Sequence, residues 1–181
     1  MNINKLKIGL DVDDVLAGLY IELCKMYDKT IQPIDIWNSD SWIGEVINSA
    51  IFNNNLWKNL PKITDPKDID FEVDCYISHI PEKYKSIREN WLKKNGFPKA
   101  PLYTTGDKLR VIKERNLDYF IDDRVDTIDI INNDKHKCIG IQYVPFYHKP
   151  ASLSSLHIKD IKQFKNMIKF INFLKNESKS S

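Results

Sequence analysis

Three carboxylates crowd one short run near the N-terminus, Leu10-Asp11-Val12-Asp13-Asp14-Val15-Leu16. The stretch before it, Leu6 to Leu10, reads as a buried strand, so Asp11, Asp13 and Asp14 fall where a strand ends. Like charges held this close are costly unless a cation or a buried polar network compensates them. The chemistry such a set suits is binding of a divalent cation, with one member available as a nucleophile. A solvated turn or a helix cap is the simpler use of the same residues. A second run weighs against that simpler use. Leu117-Asp118-Tyr119-Phe120-Ile121-Asp122-Asp123 again puts acids at the end of an apolar strand. Parallel α/β sheets bind ligands at the carboxyl ends of their strands, so two acidic strand ends in one sheet would converge on one site.

The elements that must position these acids alternate along the chain. Candidate strands are Lys7–Asp11, Glu72–Ser78, Pro101–Thr104, Tyr119–Asp122 and Lys137–Tyr143. Several are continuous apolar runs, which suits a sheet covered on both faces. Between them, Tyr84, Ile87, Trp91 and Leu92 have helical spacing after Pro81, with Lys93 and Lys94 in the last turn and Gly96 as a stop. Lys108 to Arg115 predicts a short helix with Leu109 and Ile112 inward, and Val125 to Asn132 another. A last helix, about Lys159 to Lys175, carries Ile161, Phe164, Ile168, Ile171 and Leu174 on one stripe. The fold class expected is α/β, a Rossmann-like open parallel sheet with right-handed crossovers.

Residues 17–71 break that rhythm. Leu19, Tyr20, Leu23 and Tyr27 form one helical stripe, and Ile43, Val46, Ile47, Ala50 and Ile51 another. Trp37, Trp42 and Trp57 are concentrated here, and apolar periodicity assigns them to packing before ligand binding. The expected organisation is a core of residues 1–16 and 72–181 with a small helical insert, 17–71, placed to cover the first acidic strand end.

Bulk composition narrows the function classes. The 181 residues suffice for one good core and a small inserted module. A net charge of +2, from 27 basic and 25 acidic residues, makes no strong case for a nucleic-acid partner. Cys24, Cys75 and Cys138 have no CxxC spacing, which supports neither a zinc site nor a disulfide framework. A reducing cytoplasm is the expected compartment. No apolar run is long enough to span a membrane, and the first residues lack the apolar core of a signal peptide.

Polar residues recur in a fixed order along these elements. Asp11 and Asp13 follow the first strand, Ser78 ends the second, Lys108 opens a helix after the third, and Asp122 and Asp123 end the fourth. This ordered set resembles the haloacid dehalogenase-like phosphatase superfamily, over about residues 7 to 126. The matches are Asp-Val-Asp-Asp-Val, Tyr-Ile-Ser, Gly-Asp-Lys and Ile-Asp-Asp-Arg for its four motifs, and the insert resembles the helical C1 cap such enzymes carry. The resemblance implies a Mg2+-dependent phosphomonoester hydrolase. Asp11 would attack phosphorus to give an aspartyl-phosphate. Asp13, starting protonated, would serve the leaving oxygen as acid and then the attacking water as base. Ser78 would donate to a phosphoryl oxygen, and Lys108 would supply fixed positive charge. Lys113 is the weaker alternative for that cation. Mg2+ would be held by Asp11, by the Asp13 carbonyl and by an acid of the second cluster. Adjacent strand residues face opposite ways, so Asp122 and Asp123 are not expected to play identical roles; Asp123 is preferred as direct ligand and Asp122 as an outer or water-mediated partner, with the choice between them open. Asp126 is a further outer acid, and Asp14 is expected to cap the next helix.

Within the superfamily the chain resembles 5'(3')-deoxyribonucleotidases and related nucleotidases. Asn55-Leu-Trp-Lys-Asn-Leu-Pro61, Tyr119-Phe-Ile-Asp-Asp-Arg124, the helix from Pro81 to Gly96 and the loop Pro145-Phe-Tyr147 carry that likeness. It departs where Asp14 stands in place of Gly, and where His79 and Ile80 separate Ser78 from Pro81. His79 has two readings, a contact to phosphate or base and a loop hydrogen bond. The expected partner is a small phosphorylated substrate, a nucleoside monophosphate, with no membrane and no stable nucleic-acid partner; a homodimer stays open. The alternatives are a polynucleotide 3'-phosphatase, another small-molecule phosphatase of the same fold, and a non-catalytic phospho-accepting signalling module.

Overall fold

The computed structural model describes residues 6–32, 42–44, 46, 54–146 and 156–177, and the side chains of all of these but 54, 172 and 174–177. Trp37, Ile47, Ala50, Ile51, Tyr147, the Leu174 side chain and the terminal serines therefore lie outside the described residues.

Six strands form one sheet: β1 (Ile8–Asp11), β2 (Cys75–Ser78), β3 (Leu102–Thr104), β4 (Tyr119–Asp122), β5 (Ile139–Tyr143) and β6 (His157–Ile158). Their spatial order is β3-β2-β1-β4-β5-β6 and every pairing is parallel. Among the described residues the helices include α1 (Leu19–Met26), α2 (Asn54–Asn59), α3 (Lys85–Lys94), α4 (Lys108–Arg115), α5 (Val125–Asn133) and α6 (Phe164–Glu177). This is the α/β open parallel sheet expected from the alternation of patterns. The sixth strand was not expected. It spans two residues, too short to leave a periodic signal, and exists through Gln142 N–H donating to Leu156 O at 2.9 Å and Val144 N–H to Ile158 O at 2.8 Å.

Both faces of the sheet are covered, and strand alternation divides the side chains between them. Tyr76, Tyr119, Ile121 and Ile141 join Trp91 and Leu92 of α3 and Phe164, Ile168 and Ile171 of α6. Cys75, Ile77 and Phe120 face the other way, onto Val111 and Ile112 of α4 and Ile131 of α5. The buried residues of α4 are Lys108, Val111 and Ile112; Leu109 is half-buried and packs against the same cluster as Ile112, the inward pair expected from the sequence, and Val111 joins them. Burial pushes the thiols of Cys75 and Cys138 up to about 12, so both stay protonated as small apolar fillers.

Local signals explain the ends of the elements. α3 stops at Asn95 and Gly96, the latter at φ +81°, and Phe97 N–H donates back to Leu92 O at 3.1 Å. α4 begins at Asp107, whose carboxylate accepts from Arg110 N–H at 3.1 Å, and ends at Asn116 in the left-handed region. In β1, a Cβ on Gly9 would lie 2.6 Å from Leu117 Cδ1 and 2.9 Å from Phe120 Cδ2. Glycine there lets the central strand sit close under the chain that carries the second acidic cluster.

Between β1 and β2 the described residues contain helices and isolated bridges but no longer strand. The chain leaves and returns through adjacent backbone. Gly18 N–H donates to Pro61 O at 2.8 Å and Ile63 N–H to Leu16 O at 2.9 Å. On α1, Leu19, Tyr20 and Leu23 are buried as their stripe implies, while Tyr27, just past the helix, is exposed. Trp57 is buried in the core, and Trp42 packs with Tyr20 and Tyr27 at 6.4 and 6.5 Å between ring centres.

One surface cluster links β1 to β4 and β5 and makes stability depend on pH. Asp118 accepts from Lys7 N–H at 2.9 Å and from Lys137 Nζ at 2.7 Å. Partial burial alone would raise the Asp118 carboxyl, but these donors outweigh it and hold it below its ordinary 3.8. A carboxyl depressed on folding stabilises above its unfolded value and loses that contribution as pH falls through the folded one. Asp118→Asn is therefore expected to lower the melting temperature at neutral pH, with the gap to wild type closing below pH 3.8. Paired thermal melts across that range check it; a gap that persists in acid would refute the assignment.

Candidate active site at the carboxyl ends of β1 and β4

Parallel pairing of β1 with β4 brings the two acidic strand ends side by side. Asp11 ends β1 and Asp122 ends β4, and carboxylate oxygens of Asp11, Asp122 and Asp123 lie within 4.8 Å of one another. All three residues are buried. Lys108, at the first turn of α4, reaches between them. Its Nζ is 3.0 Å from Asp11 Oδ1 and 2.7 Å from Asp122 Oδ2. Burial works against the Lys108 charge, but Asp11 and Asp122 outweigh it and push the ammonium above its ordinary 10.5. Lys108 is therefore a permanent cation here. Lys113, the other lysine weighed from the sequence, points elsewhere and pairs with Asp134 at 2.8 Å.

Asp11 is under the opposite pressure. Burial raises its carboxyl well above 3.8; Lys108 opposes this, and Asp122, Asp123 and Asp13 add to it. Its Oδ1 is buried and, apart from the Lys108 ion pair, receives no hydrogen bond. A buried carboxylate oxygen aimed into a group of acids is the donor type that a hard divalent cation takes. Asp122, which ends β4, and Asp123, just beyond it, differ in their surroundings. Asp122 is fully engaged, by Lys108 through Oδ2 and by Arg124 N–H at 2.9 Å through Oδ1. Asp123 lines the cleft together with Asp11, Asp13, His79, Lys108 and Arg124. Gln142, buried on β5, donates to the Asp123 carbonyl at 3.2 Å and ties that turn to the sheet.

The loop after β1 sorts its acids by backbone geometry. Asp14 sits at φ 56°, and its carboxylate accepts from Tyr20 N–H at 3.1 Å in the first turn of α1. This is the helix-capping use read from the sequence. Asp13 turns the other way. Its Oδ2 accepts from Ser78 Oγ at 2.7 Å and its Oδ1 from Arg88 Nη2 at 2.5 Å. Two expectations change here. Ser78 is spent on Asp13 rather than left facing an incoming group. Both Asp13 oxygens act as acceptors, whereas the acid role inferred from the sequence starts with a proton on one of them.

Arg88 is the site residue that sequence reasoning missed. It lies on α3, is fully buried, and has its guanidinium carbon 5.2 Å from the Trp57 ring centre and 5.7 Å from that of Trp91. A signal existed: Arg88 shares the helical stripe of Tyr84, Trp91 and Leu92, a cation on an apolar face.

His79 stands over Gly106, where an added Cβ would lie 2.9 Å from its Nε2. Partial burial, then Lys108 and Arg124, lower the imidazole below its ordinary 6.5 against the pull of Asp13, so it is neutral at physiological pH. Asp126 does not approach the acids through a hydrogen bond of its own; it pairs with Arg124, Nε to Oδ1 at 2.9 Å and Nη2 to Oδ2 at 2.5 Å. No described helix is long and apolar enough to cross a membrane. In comparisons with known proteins, the chain matches no family model and no curated protein.

Proposed function

We propose that this protein is a Mg2+-dependent phosphomonoesterase that works through an aspartyl-phosphate on Asp11 and acts on nucleoside monophosphates. The observation that carries the reading is the buried group of Asp11, Asp122 and Asp123 around the Lys108 ammonium at two neighbouring strand ends. The resemblance of its motifs to haloacid dehalogenase-like phosphatases supports it. The nucleotide preference rests on the likeness of Asn55 to Pro61 and Tyr119 to Arg124 to nucleotidases.

Asp11, Asp123 and the Asp13 carbonyl would hold the cation, and Asp122 holds Lys108 through Oδ2. Mg2+, when bound, offsets the repulsion between an anionic nucleophile and a phosphate dianion. Lys108 favours the ionised form of Asp11 against its burial and adds positive charge where the transferring oxygens gather. Asp11 attacks phosphorus as the ester oxygen leaves; water then attacks the same phosphorus and frees Asp11. The leaving oxygen takes up one proton and the attacking water gives one up; a single carboxyl at Asp13 would serve both steps when Oδ2 carries the starting proton and the Ser78 hydroxyl turns to accept from it. His79 and Arg124 line the same cleft and would offer a neutral imidazole and a guanidinium to the substrate.

A phosphate-release panel tests this. Deoxy- and ribonucleoside monophosphates, sugar phosphates and an oligonucleotide 3'-phosphate are compared with Mg2+ and with EDTA. The expected result is Mg2+-dependent release, fastest from a mononucleotide. Release that survives EDTA, or none from any ester, would overturn the proposal; preference for the oligonucleotide would move the substrate to polynucleotide ends.

A further inference from the structure

Arg88 has no task in the chemistry above, yet it is built into the molecule at some cost. It is fully buried, and its Nε and Nη1 make no hydrogen bond. A buried cation with unused donors is unfavourable unless its surroundings compensate it. Here two indole faces and the Asp13 carboxylate do so. A planar, fully buried guanidinium held over two indole rings has little freedom to turn, so its Nη2 is presented at one place. That place is Asp13 Oδ1, while Ser78 takes the other oxygen. Asp13 meanwhile lines the cleft. It is therefore gripped from the interior side with its position toward the cleft set.

The two rings come from different parts of the chain. Trp91 shares α3 with Arg88, whereas Trp57 lies on α2, in the segment that joins β1 to β2. Trp57 is also 6.0 Å from the Tyr84 ring, and the Trp91 indole N–H donates to Leu60 O at 2.9 Å, just beyond α2. The α2 segment and α3 thus meet around one guanidinium.

We infer that Arg88 is a positioning residue for Asp13, and that the segment between β1 and β2 acts on the proton-transfer step through Trp57, Arg88 and Asp13. The inference rests on the phosphomonoesterase reading. It separates Asp13 from the Asp11, Asp122 and Asp123 group, which Lys108 and Arg124 organise without Arg88.

The test is steady-state kinetics of Arg88→Met, Arg88→Lys, Trp57→Phe and Trp57→Leu on the mononucleotide the wild type hydrolyses fastest, beside the melting-temperature rise that Mg2+ produces in each. Arg88→Met is expected to lower kcat about 10–100-fold, the scale on which a misplaced catalytic group is felt. KM should stay within about twofold, since binding of the ground state does not use the grip on Asp13. The Mg2+ response should be kept. Arg88→Lys should recover part of kcat, and Trp57→Phe more than Trp57→Leu. An unchanged kcat in Arg88→Met and Trp57→Leu overturns the inference. So does loss of KM and of the Mg2+ response in step with kcat, which would leave Arg88 a purely structural residue. Should Arg88→Met not fold, the two Trp57 variants decide by the same criteria. A wild type that releases no phosphate from any ester removes the phosphomonoesterase reading first, and this inference with it.

Discussion

Asp11→Asn is expected to abolish Mg2+-dependent phosphate release, by about 10³-fold or more as for other nucleophile deletions, and yet to melt higher than the wild type in EDTA. The first half follows from the role proposed for Asp11. The second follows from its surroundings. Burial pushes the Asp11 carboxyl well above 3.8, with Asp122, Asp123 and Asp13 adding to the effect of burial and Lys108 only partly relieving it. An acid raised on folding costs stability once pH exceeds its unfolded value, because the folded state must then hold a charge it disfavours. The isosteric amide removes that charge, and each kcal/mol gained reads as ~2–4 °C in a domain of this size. The gain should vanish as pH falls toward 3.8, where wild-type Asp11 is itself protonated in the folded state. Mg2+ should reverse the order by stabilising the wild type and not the variant. Differential scanning calorimetry with EDTA and with Mg2+, beside a phosphate assay, reads all of this. A variant that keeps full turnover, or that melts well below the wild type in EDTA, would contradict the account.

Asp13→Ala is expected to do the opposite to stability, although it removes a carboxylate from the same loop. Arg88 has no exposed side-chain surface, whereas Asp13 has 15%. Removing Asp13 leaves a fully buried guanidinium without its counter-charge, a loss of about 3–5 kcal/mol where such pairs have been broken. Arg88→Met should cost less, since Asp13 can turn to water and the thioether fills space between the two indoles. The double variant should recover much of what Asp13→Ala loses, because the buried charge is then gone. Urea denaturation of the two single variants and the double variant measures this. Equal losses for Asp13→Ala and Asp11→Asn would show that the Arg88 pair is not what distinguishes the two acids.

The contrast between those two substitutions marks the limit of what could be read along the chain. α4 is legible end to end, from Asp107 as cap to Asn116 as stop, because both signals are local. β1 and β4 are legible because an apolar run followed by acids needs no partner to be noticed. The same holds for Asp14 as a cap, since Asp at that point of a loop before a helix has a local use. Arg88 was hidden by distance: Asp13, its partner, is 75 positions away. Its place on the stripe of Tyr84, Trp91 and Leu92 hints at burial but names no partner. Ser78 is a related case. Its position at the end of β2 was visible, while its choice of Asp13 as acceptor depends on the parallel register that sets Ile77 beside Asp11.

By itself, then, the sequence determined that this chain alternates strands and helices, that acids terminate two of its strands, and that Ser78 and Lys108 lie at the ends of neighbouring elements. Periodicity, capping and turn preferences act over a few residues, and they suffice for that much. Only the tertiary structure decided that β1 and β4 are adjacent, that Lys108 bridges Asp11 and Asp122, and that Asp122 is engaged while Asp123 lines the cleft. It alone joined Trp57, Arg88 and Asp13. Those pairings are settled by burial: a charge withdrawn from water must find its partner wherever the packed chain supplies one, and separation along the sequence has no say in where that is.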